Sequence, residues 1–174
     1  RVLFRSECLT GREGTYGGSV ADDGSGVLQY VRVWNGGRDI APASDQKENS
    51  GNEINGITFG GVGSETVVDH CEVAFSQYHG FAFVGGTVNV RYLSALFNGD
   101  AGIETRMGYQ GKGQFLFIML GSNGNHGLKM SSGAGGNLDA MPRTHPSFYS
   151  ITILGAGSNG QVGPLIVLRE GTGG

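Results

Sequence analysis

Four segments of this chain share a glycine followed by an apolar–x–apolar triplet: Asn55-Gly-Ile-Thr-Phe, His79-Gly-Phe-Ala-Phe, Ala101-Gly-Ile-Glu-Thr and His126-Gly-Leu-Lys-Met. Their glycines, Gly56, Gly80, Gly102 and Gly127, follow one another at steps of 24, 22 and 25 residues. Strand-like runs starting at His70, Tyr92 and Phe117 each stand ten residues ahead of the next such glycine. Tyr30-Val-Arg-Val-Trp and Ser150-Ile-Thr-Ile-Leu extend that first series, and Pro164-Leu-Ile-Val-Leu closes the second. Two short alternating strands per unit, with Gly/Asn/Ser turns between them, predict an all-β parallel solenoid of about five coils of 22–25 residues. A β-sandwich has no reason to keep a constant offset. The leucine scaffold of a leucine-rich repeat is absent.

Alternation then sorts the side chains. On the first sheet it sends Val31, Val33, Cys71, Val73, Phe75, Leu93, Ala95, Phe97, Ile118, Leu120, Ile151 and Ile153 inward. On the second it sends Ile57, Phe59, Phe81, Phe83, Ile103, Thr105, Leu128, Met130, Leu165 and Val167 inward. Thr105 is the polar intruder, and its hydroxyl needs a partner there. The 34 glycines among 174 residues are expected at coil corners, where φ > 0 is adopted without a Cβ penalty. Two polar, Gly/Ser/Asn-rich stretches, Arg38–Glu53 and Gly133–Pro146, interrupt the coil and read as insertions.

Charge excludes some partners. Twelve basic and fifteen acidic residues give a net of −3. No Lys/Arg run suits a phosphate backbone, so nucleic acid is not an expected partner. No run of about 18 apolar residues suggests a membrane span. Cys8 and Cys71 have no metal-ligand spacing, and a disulfide between them is left open. Arg1–Ser6 resembles a translated sequencing adaptor, so residues 7–174 are read as one β-helix unit of a longer parent with further coils at both ends.

Three stretches carry a family resemblance: Asn52-Glu-Ile-Asn-Gly-Ile-Thr-Phe-Gly-Gly-Val-Gly-Ser-Glu-Thr, Phe83-Val-Gly-Gly-Thr-Val-Asn-Val-Arg-Tyr-Leu and Gly108-Tyr-Gln-Gly-Lys-Gly-Gln-Phe. With Thr15-Tyr-Gly-Gly and Leu168-Arg-Glu-Gly-Thr-Gly-Gly, they resemble a group of glycine-rich secreted and surface-anchored bacterial proteins. The resemblance runs from about residue 12 to the end. It implies a right-handed parallel β-helix, an extracellular or cell-surface location, and an anchored parent, but no catalytic mechanism. Where that group carries Asp-Asp-Gly and then an outward Glu, this chain has Tyr78-His79-Gly80 and Ala82. Of the group's acidic cluster only Asp100 and Glu104 remain.

Candidate sites follow from the outward positions. On the second sheet these stack as Thr58, Ala82, Glu104, Lys129 and Ile166, with Arg106 beside Glu104. Asp100, Glu104 and Lys129 are the residues that could serve catalysis on an acidic sugar, since hydrolysis needs two carboxylates about 5–9.5 Å apart. A cross-strand ion pair of about 0.2–1 kcal/mol accounts for them more simply. On the first sheet Tyr30, His70, Tyr92 and Phe117 form a row of rings beside Trp34, Ala74 and Leu96. Such a face either stacks sugars or, as the more frequent reason for a sheet apolar on both sides, is covered by the insertions or another domain; Tyr30, Trp34, His70, Tyr92, Glu104 and Arg106 are the candidate ligand-binding residues. His79 and His126 read as turn residues two coils apart, and His145 stands alone in the second insertion. Ca²⁺ is the one cofactor the pattern admits, at Glu65 in Gly60-Gly-Val-Gly-Ser-Glu-Thr-Val, and a single copy of that motif argues against it. The favoured function is a non-enzymatic module binding a polysaccharide or cell-surface glycan. A polysaccharide lyase or glycoside hydrolase, or a purely structural stalk, are the alternatives.

Overall fold

A computed structural model describes residues 4–5, 15–39, 53–132, 140–160 and 163–173. The first sheet contains β3 (Val27–Gln29), β4 (Arg32–Trp34), β8 (Val67–Ala74), β10 (Asn89–Leu96), β12 (Lys112–Met119) and β14 (Ser147–Leu154). The second contains β7 (Ile57–Gly60), β9 (Phe81–Val84), β11 (Ala101–Arg106), β13 (His126–Ser131) and β15 (Ile166–Arg169). All pairings within both sheets are parallel; from β7 onward each strand lies beside the one two elements further along the chain, while β3 and β4 together pair with β8 across the first insertion. This is a parallel β-helix. Two antiparallel pairs lie outside it: β1 (Phe4–Arg5) with β2 (Thr15–Tyr16), and β5 (Arg38–Asp39) with β6 (Glu53–Ile54). The second pair closes the base of the first insertion; residues 40–52 and 133–139 of the two insertions, and Cys8, lie outside the described residues.

The core runs along the helix axis between the two sheets. Cys71, Val73, Leu93, Ala95, Leu116 and Ile118 meet Phe59, Phe81, Phe83, Ile103 and Leu128 there. Cys71 is a free, buried thiol. Thr105 is fully buried in the same column, and its hydroxyl has no hydrogen-bond partner. The partner that alternation requires for it is missing.

Each long strand of the first sheet bends at a residue with left-handed φ: His70 (50°), Tyr92 (52°), Phe115 (58°) and Ser150 (52°). Tyr30 (56°) does the same at the break between β3 and β4. Each coil thus has three straight runs rather than two. The row of rings therefore ends in Phe115, not Phe117: Leu93 pairs with Leu116, and Phe117 lies beside Ser94 one run further on. The third ten-residue offset was a coincidence of register. Phe75 (56°) and Phe97 (54°) occupy a second left-handed corner, where they face outward and stack at 5.4 Å instead of filling the core.

The ruler glycines act through proximity rather than through positive φ. A Cβ on Gly80 would stand 2.6 Å from the Gly102 carbonyl oxygen, and one on Gly56 2.7 Å from that of Gly80. Successive corners approach too closely for any side chain. In the last coil Leu128 pairs with Ile166 and Met130 with Leu168, so register aligns the core column with Ile166 and Leu168 rather than with Leu165 and Val167, although Ile166 and Leu168 are both exposed on this terminal coil.

Candidate functional site

Register places Thr58, Ala82, Glu104, Lys129 and Val167 in one outward column of the second sheet. The column is as expected except at its end, where Val167 replaces Ile166. Parallel pairing of β11 with β13 sets Glu104 directly beside Lys129. Asp100, at the corner before β11, and His79, at the equivalent corner one coil earlier, close over them.

The result is a compact ionic group drawn from three coils. Lys129 Nζ lies 3.3 Å from Asp100 Oδ2 and 3.9 Å from Glu104 Oε1. The Ala101 N–H approaches His79 Nδ1 at 3.1 Å, the same nitrogen lies 3.5 Å from Asp100 Oδ2, and Nε2 lies 3.2 Å from Glu104 Oε1. Asn125 Nδ2 donates to Asp100 Oδ1 at 3.1 Å. Arg106 Nε is 3.5 Å from Glu104 Oε2. The His79 side chain is only 1% exposed, and Glu104 and Asp100 are buried with it.

Burial works to raise the pKa of both carboxyls, but their partners outweigh it. The His79 ring, the Lys129 ammonium and the Asn125 amide together hold Asp100 below its ordinary 3.8. The His79 ring and Lys129 hold Glu104 below 4.5 against both burial and the repulsion of Asp100. Burial pushes the Arg106 guanidinium down to about 10, opposed by Glu170, so it remains a cation at neutral pH. Asp100, Glu104, Lys129 and Arg106 are thus brought together as the coil spacing implies. His79 joins them, and the sequence gives no sign of it beyond its corner position.

The aromatic candidates are gathered differently. Tyr30–His70, His70–Tyr92 and Tyr92–Phe115 stack with centroids 4.9, 4.5 and 4.8 Å apart. A left-handed non-glycine residue costs about 1–2 kcal/mol, and each stacked pair returns about 0.5–1.5 kcal/mol. The ladder offsets much of the strain at its own corner. Its inner ring faces are occupied by neighbouring rings, which leaves the ring edges and the ends of the ladder at Tyr30 and Phe115 for any ligand. Trp34 stands in a column with Ala74 and Leu96, separated from the ladder by that of Arg32, Glu72 and Ser94, and its Nε1 donates to Glu72 Oε1 at 2.7 Å. Glu65 is exposed in a turn, and no group of three or more His, Cys, Asp or Glu side chains suited to a metal occurs among the described residues.

A second concave surface went unread in the sequence. The runs ahead of the ring ladder, Asn89–Arg91, Lys112–Gln114 and Ser147–Tyr149, form the first part of the first sheet, and their outer face holds a groove of about 400 Å³. Asn89, Arg91, Lys112, Gln114 and Tyr149 line it. The alternation in Val88-Asn-Val-Arg-Tyr was the available signal.

Among known proteins, the sequence model of a pectate-lyase-like β-helix domain matches residues 9–174, nearly the whole chain. No curated protein and no solved structure gives a match.

Proposed function

Since the chain belongs to the pectate-lyase-like β-helix domain family, we propose that it is a carbohydrate-binding module of the bacterial cell exterior that holds a polysaccharide without cleaving it. One observation carries this reading: His79, Asp100, Glu104 and Lys129, the acid–base groups gathered about the outward column of the second sheet, are engaged with one another. Hydrolysis needs a carboxylic acid that keeps its proton near neutrality, and Asp100 and Glu104 are both held below their ordinary ranges. Elimination from a uronate needs a base with a free lone pair. His79 Nδ1 is occupied by the Ala101 N–H, its Nε2 faces Glu104, and Lys129 Nζ is drawn to both carboxylates. The extracellular setting rests on the resemblance to secreted and surface-anchored proteins.

A polysaccharide lyase is the second reading. It is favoured by family membership and by the grouping of Lys129, Arg106 and His79 on one outer sheet face. The test is to incubate the protein with polygalacturonate, alginate and a neutral β-glucan. Binding is followed by affinity electrophoresis, and cleavage by ultraviolet absorbance of unsaturated uronate and by reducing ends. Retardation without cleavage is expected. Cleavage that disappears in Lys129→Ala would overturn the binding-only reading in favour of the lyase. Failure to bind any of the polymers would overturn it in favour of a structural stalk.

A further inference from the structure

We propose that the outer face of the first sheet's middle run is a docking surface for a lipid bilayer carrying anionic headgroups, a contact separate from the carbohydrate reading. This run follows the ring ladder in each coil, from Arg32–Trp34 through residues 72–74 and 94–96 to residues 117–119. A left-handed corner bounds it on either side, and the rings at those corners stand outward. Tyr30, Tyr92 and Phe115 rise along one edge, Phe75 and Phe97 along the other, and Trp34 lies just short of the second corner in the first of these coils. They are 76%, 43%, 41%, 48%, 40% and 58% exposed in that order. At about 200 Å² per ring, the six present about 600 Å² of aromatic side chain to solvent. That is the upper end of the roughly 300–600 Å² of the largest apolar patch on an ordinary monomer, and such patches mark interaction sites.

Ring type and charge together name the occupant. Tyr and Trp carry a polar tip on an apolar body, the form that settles where acyl chains meet headgroups. Two arginines reach out from the same side. The Arg32 side chain is 72% exposed on the run itself, and that of Arg91, 62% exposed, stands just across the ladder beside Tyr92. Their carboxylate partners lie lower: Glu72 is 21% exposed and Asp69 14%, at 3.7 Å from Arg32 and 4.0 Å from Arg91. Glu72 is also held by Trp34 Nε1, and Asp69 lies 2.6 Å from His70 Nδ1. The outermost layer of the face is thus rings and cations, on a chain whose net charge is −3. Anionic headgroups complement that layer, and the long arginine stems keep the guanidinium groups at headgroup level while the rings enter the acyl boundary. A second copy of the same face would meet it with a second outer layer of cations. The two ring rows stand about 16 Å apart, five residues at about 3.3 Å each, which is broader than one extended polymer chain and suits a surface.

The sole tryptophan, Trp34, reports the contact directly. The full chain is mixed with vesicles of phosphatidylcholine alone or with phosphatidylglycerol added, and is followed by co-sedimentation and by Trp34 emission. It should sediment with the anionic vesicles, its emission should move to shorter wavelength, and lipid brominated high on the acyl chain should quench it. Binding should weaken as salt is raised. Arg32→Gln/Arg91→Gln should lose about tenfold or more in partitioning onto the anionic vesicles. Phe75→Ser/Phe97→Ser, which keeps both cations, should lose about as much. Melting midpoints check the fold; if the serine variant melts earlier, the arginine variant, which alters no corner, still decides. Wild-type protein that stays in the supernatant with anionic vesicles overturns the proposal and leaves the carbohydrate reading standing. Sedimentation without a change in Trp34 emission overturns it too, as does full binding by the arginine variant. Emission that shifts with polygalacturonate or on self-association, but not with vesicles, likewise overturns it and assigns the face to a polymer or to a second copy.

Discussion

Replacing Lys129 with methionine removes one charge from the buried ionic group and keeps most of the side-chain volume. Its Nζ stands 3.3 and 3.9 Å from two carboxylate oxygens. At an effective dielectric of about 20, each such attraction is about 4–5 kcal/mol. Desolvation cancels part of that sum, and breaking a buried pair by removing one partner costs about 3–5 kcal/mol. Asp100 keeps Asn125, and Glu104 keeps His79 and Arg106, so the lower end, about 3 kcal/mol, is the expected loss at pH 7. For a chain of this length that lowers the melting midpoint by about 6–12 °C. The pH dependence is the sharper test. Both carboxyls have native pKa values below their unfolded ones. Their contribution is thus complete above the unfolded values of 3.8 and 4.5 and is lost as pH falls through the lower native values. In Lys129→Met, burial meets less opposition and drives both carboxyls up, so protonation relieves the variant first. The deficit measured by urea unfolding should therefore shrink between pH 7 and pH 4, and Asp100→Asn/Lys129→Met should recover most of it at pH 7. A deficit below about 1 kcal/mol would place the pair in the range of exposed ion pairs and refute the reasoning, as would one that does not change with pH.

Three further outcomes can be checked by thermal or urea unfolding. Thr105→Val, which replaces a fully buried hydroxyl lacking a partner with an isosteric methyl, should stabilise the protein by about 1 kcal/mol; a loss would mean that the hydroxyl is satisfied in solution. Gly80→Ala should destabilise by about 1–3 kcal/mol, because its Cβ would meet the Gly102 carbonyl oxygen at 2.6 Å and backbone cannot swing aside; a neutral result would disprove the close-approach account of the corners. Tyr109→Phe should cost about 1 kcal/mol by removing the 2.8 Å hydrogen bond to the Val88 carbonyl. In the wild type the Tyr109 phenol should not ionise below strongly alkaline pH, since burial drives its pKa up, and ultraviolet difference titration reads this directly.

The repeat was legible because steric need writes glycine at each corner, and parallel stacking then copies one apolar pattern from coil to coil. Its errors share one cause. Alternation is a valid count only while φ stays extended, and a left-handed residue resets it. At Tyr30, His70, Tyr92 and Phe115 that residue is a ring rather than the usual Gly or Asn, so nothing in the sequence marks the reset. The same blindness at Phe75 and Phe97 carried the count one residue too far and turned two outward rings inward. It also hid the strand runs before the ladder, and with them the groove of Arg91, Lys112 and Tyr149. Asp100, Glu104, Lys129 and Arg106 were found because each lies on or beside the second-sheet strands, where the corner glycines keep the count. Only the last rung slipped, from Ile166 to Val167.

The placement of charge on the two sheets bears on what the ionic group is for. The neighbouring rung of the second sheet, Thr58 and Ala82, covers the same core without ionisable side chains, so closing the sheet does not require them. A solenoid of near-identical coils has a specific hazard: a slip of one residue exchanges the inner and outer faces of a whole strand. The group ties His79, Asp100 with Glu104, and Lys129 across three successive coils, and a slip in any one would strand a buried charge without its partner. The apolar pattern resists the same slip, since it would turn the core side chains outward, and the ion pairs add a directional requirement to it. The cost of burying these ions is therefore matched by registry between coils. Exact strand alignment is also what sets Arg91, Gln114 and Tyr149 in line across the groove of the first sheet.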